Sequence, residues 1–188
     1  MMAKGKLFVI SGASGVGKST VLKQVMEGRE DLSFSVSATT RPARPGEVDG
    51  VHYYFVSHEK FRQMIDEDAF LEYDEHAANY YGTPEFQVEE KLQKGSVILD
   101  IEPAGAKIVK EKRPDAVLIF IMPPSQEELE RRLRGRGDTS EEQIGMRLER
   151  AVWEMDQRSW YDHVVVNDQA DACANQILQI IAQGANEE

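Results

Sequence analysis

Gly12-Ala13-Ser14-Gly15-Val16-Gly17-Lys18-Ser19 fits the spacing G-x-x-x-x-G-K-[S/T], and the reading of this stretch decides the fold. Its four fixed positions coincide by chance in roughly one chain in a hundred of this length, so the flanks must separate a phosphate loop from a flexible glycine turn. Lys6-Leu7-Phe8-Val9-Ile10 precedes it as a short apolar run, the pattern of a buried parallel strand. Ser19 to Met26 follows, with apolar residues at 21, 22, 25 and 26, one stripe of an amphipathic helix.

Strand, loop and helix come in the order that phosphate binding requires. Glycines let backbone N–H groups close around phosphate oxygens, and the helix N-terminus adds the positive end of its dipole. The segment Gly12–Thr20 is therefore a nucleotide-binding candidate, with Lys18 reaching the terminal phosphates and the Ser19 hydroxyl available to Mg²⁺. The motif names a nucleotide and says nothing of what is done to it.

Downstream, Leu32 to Ser37 alternates like a half-buried strand, and the two prolines and glycine of 38–47 make a loop. His52 to Val56 is rich in strand formers, and Ser57 is placed to cap a helix through Glu67. Two short strands are expected near 69–73 and 78–82. A helix then follows, with Pro84 in its first turn; it carries Phe86, Val88 and Leu92, with Gly95 as its stop signal. Ser96 to Asp100 reads as a core strand, followed by a helix after Pro103, and Ala116 to Met122 as the most apolar strand. Ser125 to Glu128 has the capping-box pattern, a further helix covers 140–159, and a strand at 163–167 precedes a closing helix over 170–183. Strands alternating with helices imply an α/β fold with a parallel sheet, whose ligands gather at the carboxyl ends of the strands.

The net charge of −11 argues against nucleic-acid or anionic-membrane partners, so cationic groups for phosphates must be concentrated locally. Arg131, Arg132, Arg134, Arg136, Arg147 and Arg150 lie within twenty residues, and Arg41 and Arg44 form a second group. Helical spacing also allows the first group to pair with Glu127, Glu128, Glu130 and Glu149 as a solvated face, a reading that does not extend to the glycine-flanked Arg136. The single Cys173 rules out an internal disulfide. Met1 to Lys6 leads straight into the first strand, and no apolar run approaches the roughly 20 residues that span a bilayer, so a cytoplasmic chain is expected.

Asp100 and Glu102 end the central strand, where a carboxylate can serve Mg²⁺, the substrate or a helix cap. Ser37, Arg41 and Arg44, interleaved with Thr39 and Thr40, can hold a phosphate by guanidinium forks and hydroxyls. Tyr53, Tyr80 and Tyr81 can donate phenolic hydrogen bonds or pack in a core. A buried Glu72 would accept two adjacent N–H donors such as guanine N1 and N2, and Thr83 could donate to a base carbonyl.

The chain resembles the guanylate kinase family over nearly its full length. The stretches that carry the resemblance are the P-loop, Ser37-Ala38-Thr39-Thr40-Arg41-Pro42-Ala43-Arg44-Pro45-Gly46-Glu47 and Gly50-Val51-His52-Tyr53-Tyr54-Phe55. Phe70-Leu71-Glu72-Tyr73, Asn79-Tyr80-Tyr81-Gly82-Thr83-Pro84 and Arg134-Gly135-Arg136-Gly137 complete the set, in matching order and spacing. In place of the aromatic-Gln pair common in the family before the glycine at 105, this chain has Pro103-Ala104.

The resemblance implies a three-layer P-loop kinase fold with a parallel central sheet in one domain, 1–188. Residues 1–37 and 96–188 would form the core, 38–95 a mostly β GMP-binding insertion, and a region near 126–155 a helical lid. The implied reaction is Mg²⁺-assisted phosphoryl transfer, ATP + GMP giving ADP + GDP. Ser37, Arg41, Arg44, Tyr53 and Tyr81 would hold the GMP phosphate, with Glu72, Thr83 and Glu102 on the guanine. Lys18, Arg136 and Arg147 would serve the transferring group, Ser19 and Asp100 the metal, and Asn167 would lie near the adenine. ATP and GMP are then the partners, dGMP and a homo-oligomer remain open, and nucleic acid and membrane are not expected. Two rivals stand beside this reading: a phosphopeptide-binding scaffold with a guanylate-kinase-like shape, to which a complete P-loop would be superfluous, and a P-loop kinase for another small phosphorylated substrate.

Overall fold

In the computed structural model, which describes residues 5–76, 78–135 and 140–185, the strand before the glycine loop is β1, Leu7–Gly12. Phe8 and Ile10 enter the core on one side of the sheet and Leu7 and Val9 the core on the other, so an unbroken apolar run is what this position demands. Helix α1 (Lys18–Met26) turns Val21, Leu22 and Val25 inward, as the stripe predicts.

The strand expected over 32–37 is divided. Its first part is β2 (Leu32–Phe34); Ser35 N–H still donates to the Ile98 carbonyl (3.0 Å), and the chain then leaves for β3 (Ala38–Thr39) in a second sheet. That sheet continues with β4 (Tyr54–Phe55), reaches past α2 (His58–Asp66), and closes with β5 (Phe70–His76) and β6 (Asn79–Pro84), both longer than expected. The chain returns through α3 (Glu85–Leu92), β7 (Ser96–Asp100), α4 (Pro103–Lys112) and β8 (Val117–Met122). Helices α5 (Gln126–Arg134) and α6 (Glu141–Asp156), β9 (His163–Val166) and α7 (Ala170–Gly184) complete the fold.

The larger sheet has the order β2-β7-β1-β8-β9 with every pair parallel, and the smaller has the order β4-β3-β6-β5. On one face of the large sheet, α1 and α7 pack Leu22, Val25, Ile177 and Ile181 onto Phe8, Ile98 and Ile119. On the other, Val88, Leu92, Ala106 and Val109 from α3 and α4 cover Leu7, Val97 and Leu118. The small sheet has its own core, in which Phe61 of α2 stacks on Phe70 (4.4 Å) and Tyr80 (5.2 Å).

Three local expectations are corrected. Pro84 is the residue before α3, not a first-turn proline. Val88 and Leu92 join the core of the large sheet, so α3 sides with the core and the mostly β segment ends at Pro84. At Ser125 only half of the capping box forms, because the Glu128 carboxylate turns instead to Arg131 and Arg132; the reciprocal box is built by Ser140 and Gln143 at the start of α6. Cys173 is buried in α7, which pushes its thiol pKa up to about 11. Among the described residues, no helix is long and apolar enough to cross a membrane.

Candidate active site

Strand β1 delivers the glycine loop to the carboxyl edge of the sheet, where α1 begins. Gly17, directly before α1, has φ +93°, and a Cβ there would lie 2.9 Å from Asn167 Nδ2. That close approach is used: Asn167 Nδ2 donates to the Val16 carbonyl (2.8 Å), which also accepts from Arg132 Nη1 (3.0 Å). The loop is held from the other side as well, since Ser14 N–H donates to Glu154 Oε2 (2.7 Å).

A cavity of about 390 Å³ opens over Gly12–Thr20, walled by Glu102, Arg147, Arg150 and Glu154. Lys18 Nζ is 2.5 Å from Asp100 Oδ1, so the lysine leans across the strand ends toward β7. Arg147 is half-buried and has no carboxylate partner among the described residues, whereas Arg131, Arg132, Arg134 and Arg150 all do. The solvated-face reading therefore suits Arg131 and Arg134, while Arg132 reaches the Val16 carbonyl of the loop, Arg150 pairs with the buried Glu154, and Arg147 faces the loop. Arg136 lies outside the described residues.

Beside this cavity is a second, of about 300 Å³, between the two sheets. Ser37, Tyr53, Glu72, Tyr81 and Glu102, each singled out from sequence, line it together. Glu72 is 8% exposed and accepts from the Thr83 hydroxyl at 2.6 Å; Thr83 itself stands behind it, fully buried. Burial raises the Glu72 pKa, with the neighbouring charges of Asp74 and Glu102 adding to the shift and the Thr83 bond opposing it. Gly105, in the first turn of α4, allows this arrangement, because a Cβ there would stand 2.9 Å from Glu72 Oε2.

Arg41 and Arg44 do not line the cavity. The Arg41 guanidinium forks onto Glu47 (2.8 and 2.9 Å) and lies over the Tyr53 ring at 5.4 Å, while Arg44 contributes its backbone N–H to Glu47 (2.6 Å). The Arg41 fork first, and then that N–H, hold the Glu47 carboxyl down to about 2. Arg41 thus sits one ring removed from the cavity, and Arg44 is exposed. Asn167, expected near an adenine, spends its amide on the loop itself.

Asp74, Gly105 and Glu154 were not found from sequence, and Arg150 was named there only as one of the arginine cluster. Asp74 had a signal, since it follows Glu72 by two residues and so shares its strand face. Glu154 follows Arg150 by four residues and Arg147 by seven, which also marks one face, but its burial to 3% could not be read from spacing.

The guanylate kinase family model matches residues 4–184. The chain belongs to the guanylate kinase family. It is 48% identical over 177 residues to the guanylate kinase of Prochlorococcus marinus subsp. pastoris, covering 94% of this chain and 96% of that one. The guanylate kinase of a Thermus thermophilus strain is 51% identical over 179 residues, covering 95% of this chain and 81% of the relative. The crystal structure of guanylate kinase from Anaplasma phagocytophilum superposes with a TM-score of 0.75 at 34% identity, covering 98% of this chain and 88% of that one. A guanylate kinase has to bring two phosphorylated nucleotides edge to edge, and two adjoining cavities at the strand ends suit that requirement.

Proposed function

We infer that the chain catalyses ATP + GMP giving ADP + GDP, with ATP over the P-loop and GMP in the cavity beside it. The observation that carries the assignment is Glu72, a buried carboxylate oriented by Thr83 in a cavity that adjoins the P-loop. An ionised carboxylate accepts the paired N–H donors of guanine and has no matching pair on adenine, cytosine or uracil.

A phosphate oxygen of GMP attacks the γ-phosphorus of ATP, the bond to the β–γ bridging oxygen breaks, and ADP leaves. The attacking phosphate is already ionised at neutral pH, so the protein's task is to position and to neutralise charge. The two nucleotides carry about six negative charges, and each like-charge pair at 4 Å costs about 4 kcal/mol at an effective dielectric of 20. Lys18 and Arg147, which has no carboxylate partner among the described residues, stand at the donor end to offset this, and Arg136 is assigned to the same group. Ser37, Arg41, Arg44, Tyr53 and Tyr81 are assigned to the acceptor phosphate, and Glu102 to the base.

The two groups assigned to the cation are oxygen donors, the exposed Ser19 hydroxyl and the Asp100 carboxylate beside Lys18, which suits a hard cation such as Mg²⁺. Among the described residues, no cluster of three or more His, Cys, Asp or Glu is arranged to hold a metal, so the cation would draw most of its remaining ligands from phosphates and water. Bound there, Mg²⁺ supplies positive charge to the β- and γ-phosphates.

A coupled assay for ADP release with GMP, AMP, CMP and UMP tests the assignment. Turnover with GMP alone is expected; equal rates with AMP would overturn it, and no turnover with any of the four would favour the scaffold.

A further inference from the structure

Among the described residues that line the cavities, Glu102 and Arg150 are the two that line both. They are also bonded to each other, through Arg150 Nη2 and Glu102 Oε2. In the other direction Arg150 Nε donates to Glu154 Oε1 (3.1 Å), and Glu154 Oε2 accepts the Ser14 N–H of the P-loop. A continuous run of charge-assisted hydrogen bonds therefore leads from the acceptor cavity to the phosphate loop, by way of Glu102, Arg150, Glu154 and Ser14.

The links in this run are unequal. The side chains of Glu102 and Arg150 are 61% and 45% exposed, and an ion pair so open to solvent contributes at most about 1 kcal/mol. Glu154 is almost wholly buried, and its charge left without a cation would be strongly unfavourable, so it keeps Arg150 by the Nε edge. The arm of Arg150 that faces the acceptor is the one that gives way.

We propose that Arg150 is a positioning residue that couples the two nucleotides: a base that draws Glu102 into its cavity frees the Nη2 edge of Arg150 to face the phosphates on the P-loop. GMP then raises the affinity for ATP. This rests on the assignment of GMP to the acceptor cavity. Arg150 also explains how a carboxylate such as Glu154 can stand beside a phosphate site, since the guanidinium cancels its charge there.

The test is the Kd of the non-hydrolysable analogue β,γ-methylene-ATP with Mg²⁺, measured by calorimetry with and without saturating GMP. In the unmodified protein GMP is expected to tighten the analogue about fivefold or more, and Arg150→Gln to reduce that ratio to within about twofold while GMP still binds. A ratio that survives Arg150→Gln, or no ratio in a protein that binds both ligands, overturns the coupling. Should Arg150→Gln fail to fold because Glu154 is stranded, the double variant Arg150→Gln/Glu154→Gln sets two neutral amides face to face and carries the same outcomes. Titration of GMP and AMP alone separates the two failures. No preference for GMP would remove the acceptor assignment, and with it the coupling; selective GMP binding with coupling independent of Arg150 would remove the coupling alone.

Discussion

Glu72 is held in a state that costs the empty protein stability. Its pKa is raised above the ordinary 4.5, so the folded chain binds more protons than the unfolded one as the pH rises from that value. Stability therefore falls with rising pH through this window, and the cost is fully present above the raised pKa. Glu72→Gln is expected to leave the nucleotide-free protein at least as stable at neutral pH, with the gain over the unmodified chain shrinking as the pH falls through that window. Thermal unfolding across pH measures this. The same variant should lose much of its preference for GMP over AMP, since an amide presents one acceptor and one donor where guanine needs two acceptors. Gly105→Ala offers a second split. Alanine favours a helix by about 0.5–1 kcal/mol over glycine, yet its Cβ would stand 2.9 Å from Glu72 Oε2 and push the carboxylate aside. The melting temperature should hold or rise while KM for GMP rises about tenfold, the equivalent of about 1.4 kcal/mol, with KM for ATP little changed. A parallel rise in both constants would sink this account of the glycine.

At the scale of elements, the P-loop is a backbone turn clasped by side chains from elsewhere: Glu154 of α6 on the Ser14 N–H, and Asn167 and Arg132 on the Val16 carbonyl. Asn167→Ala removes one clasp and is expected to lower stability by about 1 kcal/mol and to weaken ATP binding with GMP binding intact. A changed preference between ATP and GTP as donor would instead return Asn167 to an adenine-reading role. Much of this scale was legible. Strands β1, β7 and β8 are buried on both faces, and that burial writes itself as unbroken apolar runs. Strand β4 was legible within the strand formers of His52 to Val56, but the two-residue β3 left no such trace, because its pairing is decided by backbone contacts such as Tyr54 N–H to the Ser37 carbonyl rather than by a pattern of side chains. Site residues such as Glu72 and Lys18 were legible through their type and place. Glu154 was not, since its importance lies in its burial and in Ser14, 140 positions away in the chain, nor was the role of Arg150, which lies in its bond to Glu102, 48 positions away.

For the whole molecule, the acceptor cavity is shared: Glu72 and Tyr81 come from the small sheet, Tyr53 from the position just before β4, and Glu102 and Gly105 from the loop and helix that follow β7. A ligand there ties two separately cored units together, so its binding energy appears as resistance to unfolding. GMP at a hundredfold its Kd is expected to add about 2.7 kcal/mol, on the order of 5–10 °C in Tm for a chain of this size, with AMP adding little. Differential scanning fluorimetry at matched nucleotide concentrations reads this, and equal shifts for both nucleotides would contradict a guanine-selective cavity. The arrangement also explains why a chain of net charge −11 can take two anions: Lys18, Arg147 and Arg150 are gathered at one edge of the large sheet.

The sole cysteine has a practical bearing on how the spacing of the two sheets could be measured. Cys173 is enclosed in α7 with its thiol pKa pushed up to about 11, so at neutral pH it offers almost no thiolate to an alkylating dye. The native chain is in effect a blank for maleimide chemistry, with no residue to be engineered away first. A pair of cysteines placed on the exposed faces of α2 and α5 would take fluorophores selectively, and the distance between the two sheets could then be followed in single molecules as each nucleotide arrives.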